Sequence, residues 1–296
     1  MKGYLIVNHF LQGEKFDEIN SFLLESAKKH NITLICRTNA RLTAELPTDL
    51  EECREYFKNE EIDFALFWDK DIRLAYFLEK CGVRVFNPSH AIERCDDKSL
   101  TYLSLLGEGV PMPKTVIFPK TYFRLSELPD DLIDAIEESL GYPVVVKECY
   151  GSFGKQVYLS NCREELIGII KECSPSPLIF QEFIASSRGR DLRLNVVGDR
   201  VLTAMERRND GDFRANITNG GYMVPHTASE KEQELAIRVC RILGLDFAGV
   251  DLLFGEDGSP VLCEVNSNAH FINIFRLTGV NVADGIMSYI LQEAAK

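Results

Sequence analysis

The chain begins with short apolar runs that alternate with amphipathic stretches. The runs GYLIV, ITLIC, DFALFW and VRVFN are each typical of a buried strand. Between the first two runs, apolar side chains recur at helical spacing, at Phe16, Ile19, Phe22, Leu23 and Ala27. This alternation predicts a small parallel α/β sheet over residues 1–95. Because Asn8-His9-Phe10 follows the first strand in place of a glycine-rich fingerprint, we interpret the unit as a scaffold and not as an ordinary dinucleotide-binding domain.

A junction follows, and the pattern then changes. Residues 89–110 are predicted to form two short helices, which glycines and prolines terminate at Gly107, Gly109, Pro111 and Pro113. Beyond the junction, apolar strands, turns and single helices succeed one another, and an amphipathic helix at 280–296 closes the chain. Gly198-Asp199 is predicted to form a turn between two strands, and Ser229 with Glu232 to form a capping box at the start of a helix over 230–243. The sequence therefore predicts a mixed α/β protein of more than one part.

Two apolar strands near the carboxyl end, FAGVDLLF and PVLCEVN, are separated only by GEDGS. Asp257-Gly258 predicts a two-residue hairpin turn, which places Asp251 directly opposite Glu264. Asn266 lies two residues farther along and so on the same face. Opposed carboxylates in so apolar a hairpin repel each other unless a cation neutralises them, and this all-oxygen set suits Mg²⁺. We predict a metal–nucleotide site here; the alternative is a surface hairpin whose acids face water.

A second candidate site is the stretch VVVKECYGSFGKQV at 144–157. Lys147 ends a buried strand, and Gly151 and Gly154 allow the following loop to approach a ligand closely. A lysine charge and backbone N–H groups in such a loop favour phosphate binding. The stretch is not a Walker A motif, because VYLS continues it as a strand and not as a helix. A plain hairpin that contains glycines is the alternative.

Three further stretches carry candidate groups. The strand LIFQEFI at 178–184 offers backbone groups and an apolar wall that suit a purine, although by itself it is only a strand. On the strand that follows, Asp191 and Arg193 share a face. Residues 211–221 are polar, are expected to be flexible, and include Arg214 and Asn216.

Composition narrows the classes of function. A formal net charge of −12 disfavours non-specific binding to nucleic acid or to an anionic membrane. No apolar run reaches the roughly 20 residues of a membrane span. The nine cysteines show no CxxC pair and the five histidines no metal motif. The simplest interpretation is a reduced, cytoplasmic protein without nucleic-acid or membrane partners.

Taken in order, six motifs from Asp97 onward resemble those of the ATP-grasp fold, most closely the RimK/LysX group of carboxylate–amine ligases. The motifs are DK (97–98), VVVKECYGSFGKQV, QEFIASSRGRDLRLNVVGD, MERRNDGDFRANITNGG, AGVDLL and CEVN. The resemblance implies a mixed α/β (α+β) ATP-grasp fold. Its parts would be an N-terminal parallel α/β domain at 1–95, a central subdomain with a glycine-rich flap at 96–180, and a C-terminal antiparallel-sheet subdomain with the metal site at 181–296.

The resemblance also implies roles at the matching positions. Contacts to the ATP phosphates, directly or through the flap, are implied for Lys98, Lys147, Gly151, Ser152, Phe153 and Gly154. Adenine and ribose contacts are implied for Gln181, Glu182, Phe183, Ile184 and Asp191, and terminal-phosphate contacts for Arg214 and Asn216. Mg²⁺, as two ions that Mn²⁺ can replace, is implied at Asp251, Glu264 and Asn266.

Catalysis in this family needs cationic groups near the reacting atoms. Arg193 is the candidate for binding the carboxylate or stabilising the oxyanion, and Arg214 for acting at the transferred phosphate. Arg207 is a further candidate, and surface ion pairs are the alternative for Arg193 and Arg207.

The reaction that the resemblance implies joins a carboxylate to an amine. The carboxylate attacks the γ-phosphate of ATP, and the amine then displaces phosphate from the acyl phosphate. An amino acid added to a peptide or small metabolite is the expected product, and a homodimer or homotetramer the expected assembly. A nucleotide-binding sensor without ligase activity and a small-molecule kinase are the alternatives.

The chain departs from the RimK pattern after Asn266, where SNAHFIN stands at 267–273. This loop should border the acceptor, so RimK's protein substrate is not implied for this chain. His270 is either a substrate contact or an ordinary loop histidine.

Overall fold

The computed structural model describes residues 1–151 and 154–295. The N-terminal part is a parallel sheet in the strand order β2-β1-β3-β4. Its strands are β1 (Lys2–Val7), β2 (Thr33–Thr38), β3 (Phe64–Phe67) and β4 (Arg84–Phe86). Its helices are α1 (Glu14–Lys29), α2 (Asn39–Glu45), α3 (Leu50–Asn59) and α4 (Ile72–Lys80). The predicted parallel α/β unit is confirmed.

Two short helices form the junction, α5 (Ser89–Asp96) and α6 (Lys98–Leu105). Asp97 separates them and caps the second, because its Oδ1 accepts hydrogen bonds from the N–H groups of Ser99 at 2.8 Å and Leu100 at 3.3 Å. The cap places Lys98 at the first position of α6.

The central sheet is antiparallel, in the order β5-β8-β6-β7. Its strands are β5 (Thr115–Ile117), β6 (Val144–Glu148), β7 (Val157–Ser160) and β8 (Leu178–Glu182). Helices α7 (Asp130–Leu140) and α8 (Arg163–Cys173) cover it through a core that includes Ile133, Leu166 and Phe180. The predicted flap is the connection between β6 and β7.

The third sheet is also antiparallel, in the order β11-β10-β9-β12-β13. Its strands are β9 (Arg190–Val197), β10 (Arg200–Arg208), β11 (Tyr222–His226), β12 (Phe247–Phe254) and β13 (Pro260–Asn266). Helix α9 (Glu230–Leu243), which begins with the predicted capping box at Ser229, packs on one face through residues such as Leu194, Val239 and Val250. Because that face is apolar, the polar residues of these strands fall on the other face.

The final helices, α10 (Ile272–Thr278) and α11 (Val282–Ala294), join the third sheet to the N-terminal part. Their apolar side chains share one core with α1, β1 and β3. In the same core, Trp68 stacks on Phe247 with ring centroids 5.7 Å apart and meets Phe271 edge-on at 5.8 Å. Among the described residues, no helix combines the length and the apolar character needed to cross a membrane.

The carboxyl-terminal hairpin corrects one prediction. The two-residue turn at Asp257-Gly258 is wrong: the N–H of Gly258 bonds to the carbonyl of Gly255 and the N–H of Gly255 to the carbonyl of Ser259, which leaves a three-residue loop. Gly258 takes a φ of +79°, the left-handed conformation that such loops require. The register nevertheless returns to the predicted one at Asp251 and Glu264, because Cys263 forms a β-bulge.

Candidate functional site

A cleft of about 740 Å³, including its open mouth, lies between the central and third sheets. Most of the predicted site residues line it: Lys147, Gly154, Gln181, Glu182, Phe183, Ile184, Asp191, Arg214, Asn216, Asp251 and Glu264. Arg207 and Cys263 line it as well, together with apolar residues such as Val145, Phe213 and Leu253. Residues far apart in the sequence therefore meet at one place.

Strand register brings charged side chains together on the cleft face of the third sheet. Asp251 on β12 lies opposite Glu264 on β13 and, on its other side, opposite Arg193 on β9. Asp191, two residues before Arg193, lies opposite Arg207 on β10. Residues at this spacing project to the same face of a sheet. Three carboxylates and two guanidinium groups thus form a strip across four strands.

Four members of the strip are paired with one another; Asp191, Arg207 and Asp251 are buried, and Arg193 is partly buried. Arg207 donates to Asp191 through two hydrogen bonds of 2.6 and 2.7 Å, and its Nη2 lies 2.9 Å from Oδ2 of Asp251. Arg193 binds Asp251 through its Nε and through Nη2 at 2.7 Å. Bidentate guanidinium–carboxylate pairs hold both partners in fixed orientations. The positive and negative charges of these four residues balance.

Burial and ion pairing act against each other on the two aspartates. Burial raises the pKa of Asp191 above its ordinary value, although the Arg207 guanidinium opposes that effect. Burial also pushes the pKa of Asp251 upward, but the charges of Arg193 and Arg207 outweigh it and leave that pKa below its ordinary value. Asp251 is therefore an anion in the folded protein.

Glu264 and Asn266 complete the oxygen-rich end of the strip. The bulge at Cys263 turns two successive side chains, those of Cys263 and Glu264, toward the cleft. Within the described ranges, Nδ2 of Asn266 is buried without a hydrogen-bond partner, and no group of three or more His, Cys, Asp or Glu residues is placed to hold a metal by itself. Two carboxylates and an amide fit a Mg²⁺ ion that takes its remaining ligands from phosphate oxygens or water.

The central sheet contributes a different wall. Lys147 is buried, and its Nζ lies 3.8 Å from Sγ of Cys263. In the described part of the chain, no carboxylate lies within ion-pair distance of this ammonium group. Burial raises the pKa of the Cys263 thiol to about 11, so the sulfur carries no charge at neutral pH. Lys147 is therefore a positive charge available to an anion in the cleft.

The flap is tied to the loop after β10. Gly154 has a φ of +71°, and a Cβ added there would lie 2.5 Å from Oδ1 of Asn216. Arg214 donates from Nη1 to the carbonyls of Gly154 at 2.9 Å and Val157 at 3.2 Å, while Nη2 binds Asp212 at 2.7 Å. Gly154 thus permits a contact that a larger residue would block.

Of the other predicted flap residues, the structure describes Gly151. Gly151 does not line the cleft; a Cβ there would meet Gln156. Ser152 and Phe153 lie outside the described residues.

The strand at 181–184 presents mainly apolar surface. Gln181 donates to Oγ1 of Thr115 at 2.9 Å. The Glu182 carboxylate accepts a hydrogen bond of 2.7 Å from the backbone N–H of Lys114, so one of its oxygens is already bound to the protein. Phe183 and Ile184 supply the apolar part of this wall.

Three predicted residues lie beside the cleft. Lys98 lines a neighbouring cavity that shares Lys147 and Glu264 with the cleft, and its Nζ lies 3.4 Å from the carbonyl of Cys149. Arg193 and Asn266 do not line the cleft itself. Arg193 is connected to the cleft by its hydrogen bond to Asp251, which lines the cleft.

His270 lies in the loop that follows β13. Its Nε2 is 3.3 Å from the carbonyl of Lys15. Burial, with the Lys15 charge second, lowers the pKa of His270 to about 4. The imidazole is therefore neutral near pH 7.

Sequence reasoning missed the position of Arg207 between two aspartates. The predicted turn at Gly198-Asp199 would place Glu206, and not Arg207, opposite Asp191. A register shift between Val201 and Thr203 moves the pairing by one residue. Nothing in the sequence signals this irregularity, because Leu202 is an ordinary strand residue.

Comparison with known proteins agrees with the geometry. The model of the RimK-like ATP-grasp domain matches residues 95–290. β-Citrylglutamate synthase B of Danio rerio is 39% identical over 228 residues, which are 75% of this chain and 54% of that protein. N-acetylaspartylglutamate synthase A of Homo sapiens is 37% identical over 225 residues, 75% of this chain and 56% of that protein. The chain spans about half the length of these curated relatives.

A solved structure extends the likeness over the whole fold. The D-alanine–D-alanine ligase of Bacillus anthracis, determined in complex with ATP, matches with a TM-score of 0.72 at 18% identity. The match covers 99% of this chain and 96% of that chain. The predicted mixed α/β ATP-grasp fold is confirmed.

Proposed function

Since the chain belongs to the RimK-like ATP-grasp family, we propose that it is an ATP- and Mg²⁺-dependent carboxylate–amine ligase. The observation that supports this most directly is the opposition of Asp251 and Glu264 in one cleft with Lys147, which forms no ion pair with any described carboxylate. A metal-bound polyphosphate needs carboxylates for the metal and a cation for the phosphates. Both are present on facing walls of one cleft.

Different residues of the cleft would bind different parts of ATP. Phe183 and Ile184 form an apolar wall for the purine, and Asp191 lies on the same cleft near the proposed ribose. Lys147 and the flap around Gly154 meet the phosphates, with Lys98 at the neighbouring cavity. Arg214 and Asn216 connect the flap to the loop after β10, and so can respond when the flap closes. Closure would exclude water from a reactive intermediate.

Asp251, Glu264 and Asn266 are the proposed metal ligands. Mg²⁺ bound there would neutralise phosphate charge as the phosphoryl group moves. We propose two ions, and Mn²⁺ as an acceptable replacement, because Asp251, Glu264 and Asn266 would all bind a metal through oxygen.

The reaction would proceed in two transfers. A substrate carboxylate attacks the γ-phosphate, which gives an acyl phosphate and ADP. The amine then attacks the acyl carbon and phosphate leaves, so that the net products are an amide, ADP and phosphate. Arg193 would bind the carboxylate and stabilise the oxyanion of the second step, where positive charge lowers the barrier.

Glutamate is our proposal for the amine substrate, because both curated relatives are named for products that contain it. The partner carboxylate would be a small metabolite or a peptide. We further propose a cytoplasmic enzyme that assembles as a homodimer or homotetramer.

The test is ADP release from Mg²⁺-ATP with L-glutamate and pooled small carboxylates and peptides, with mass spectrometry on the products. ADP together with a product one condensation heavier supports the ligase. ADP together with a stable phosphorylated product would instead identify a kinase. No turnover, but a higher melting temperature with Mg²⁺-ATP, would identify a nucleotide-binding protein without ligase activity.

A further inference from the structure

Both carboxylate oxygens of Asp251 are occupied by arginines. Oδ1 accepts from Nε of Arg193, and Oδ2 accepts from Nη2 of Arg193 at 2.7 Å and lies 2.9 Å from Nη2 of Arg207. A metal ion at Asp251 would bind these same oxygens. Its positive charge would repel both guanidinium groups, so we expect one of them to move away when the metal arrives.

The two arginines differ in what else holds them. Arg207 keeps a bidentate pair with Asp191 whatever happens at Asp251. For Arg193, the described residues provide no second carboxylate within ion-pair distance. Arg207 therefore stays anchored by Asp191 when its contact to Asp251 breaks. Arg193 is anchored by no other described carboxylate, so it is the side chain that can swing away.

The Arg193 side chain packs closely against Gly249. A Cβ added to Gly249 would lie 3.1 Å from Cδ and 3.2 Å from Nη1 of Arg193. It would also lie 2.4 Å from Cβ of Ala269, in the loop that follows Asn266. The Arg193 side chain thus runs along a glycine toward this loop, which we expect to border the substrate.

We propose that Arg193 and the nucleotide-bound Mg²⁺ compete for Asp251, and that the displaced Arg193 guanidinium receives the substrate carboxylate. Arg193 would then couple two binding events: the metal frees the guanidinium, and a carboxylate keeps it away from Asp251. Such a coupling is reciprocal, so the carboxylate substrate would also tighten metal binding. The inference rests on the proposed function, because it assumes a metal–nucleotide complex at Asp251.

The experiment is calorimetric titration of ADP at a series of Mg²⁺ concentrations into the wild-type protein and three variants. Arg193→Gln removes the competing charge, and Arg193→Lys keeps the charge but loses the bidentate geometry. Arg241→Gln is the matched control, because Arg241 forms an exposed ion pair with Asp199 and neither residue lines the cleft. Melting temperatures verify that each variant is folded.

We expect Arg193→Gln to lower the Mg²⁺ concentration for half-maximal ADP binding by about tenfold, with a smaller decrease in Arg193→Lys and none in Arg241→Gln. In the ADP-release assay the same Arg193→Gln protein should lose turnover, so that metal affinity and rate change in opposite directions. A Mg²⁺ requirement in Arg193→Gln equal to or above that of the wild type would overturn the proposal. Wild-type protein that binds no ADP at any Mg²⁺ concentration would overturn the proposed function as well, which distinguishes the two failures.

Discussion

The two walls of the cleft carry their charges in different ways. On the third sheet, Asp191, Arg193, Arg207 and Asp251 are buried or partly buried and neutralise one another through bidentate pairs. On the central sheet, Lys147 is buried, and among the described residues its ammonium group contacts the neutral sulfur of Cys263 and forms no ion pair. Buried charges in balanced pairs fix geometry, whereas a buried charge without a partner favours an anionic ligand. We therefore propose that the wall formed by the third sheet holds a metal ligand in place and that the wall formed by the central sheet attracts phosphate.

Breaking the ion pairs on the third sheet should have the largest effect on the free energy of unfolding. Arg207→Met leaves Asp191 without its partner and removes one contact to Asp251, so we expect the free energy of unfolding to fall by about 3–5 kcal/mol. Urea denaturation provides the measurement. Arg241→Met, at an exposed ion pair, should change it by less than about 0.5 kcal/mol. If both variants behaved alike, the strip would not contribute to stability as described.

Removing the charge of Lys147 should lower activity without lowering stability. Lys147→Met removes a charge that no described carboxylate neutralises, so the free energy of unfolding should not decrease. The specificity constant for ATP should fall by about 10²-fold, because a phosphate contact is lost. Steady-state kinetics measure this against Lys120→Met, where the lysine is exposed and outside the cleft. Equal kinetics in the two variants would show that Lys147 does not contact the nucleotide.

Asp246 is a buried acid whose contacts to Arg84 and Tyr289 do not offset the effect of burial on its pKa. It is buried where the third sheet meets the N-terminal part. Its Oδ1 accepts hydrogen bonds from Nη2 of Arg84 at 2.8 Å and from the hydroxyl of Tyr289 at 3.0 Å. Burial nevertheless dominates and raises the pKa of Asp246 to about 6. Since the folded pKa exceeds the unfolded one, the stabilising contribution is complete below about pH 4 and disappears as the pH rises through 6.

The measurement is the unfolding free energy at pH 4 and at pH 7. Relative to Asp246→Asn, the wild type should lose about 2 kcal/mol between these two values. Asp199→Asn, at an exposed position, is the control and should parallel the wild type. The same pH dependence in wild type and Asp246→Asn would remove Asp246 as the cause.

Local sequence patterns were sufficient to predict much of this fold. The alternation at 1–95, the capping box at Ser229 and the opposition of Asp251 to Glu264 each depend on spacing within one or two adjacent elements. The last was predicted from a two-residue turn that is wrong. A three-residue loop and the bulge at Cys263 offset each other, and so the two carboxylates still meet.

Contacts that depend on irregular pairing or on several strands at once could not be predicted. The register shift at Leu202 brings Arg207 opposite Asp191, and only the packed sheet brings Arg207 to Asp251 as well. Likewise, Lys98 belongs to the matching motif, but its side chain lines the neighbouring cavity. Side-chain direction in a cleft depends on how two sheets are placed, which one segment does not encode.

Asp251 and Glu264 are the proposed ligands of the metal that a nucleotide carries. Of the two, Glu264 allows the most direct test. Glu264 forms no ion pair within the described ranges, so Glu264→Gln removes a metal ligand without breaking a buried pair. Glu256→Gln, in the loop of the same hairpin, is the matched control. Calorimetry with ADP should show a gain in affinity on adding Mg²⁺ for the wild type and Glu256→Gln, and no such gain for Glu264→Gln. A full Mg²⁺-dependent gain in Glu264→Gln would contradict the assignment of the metal site.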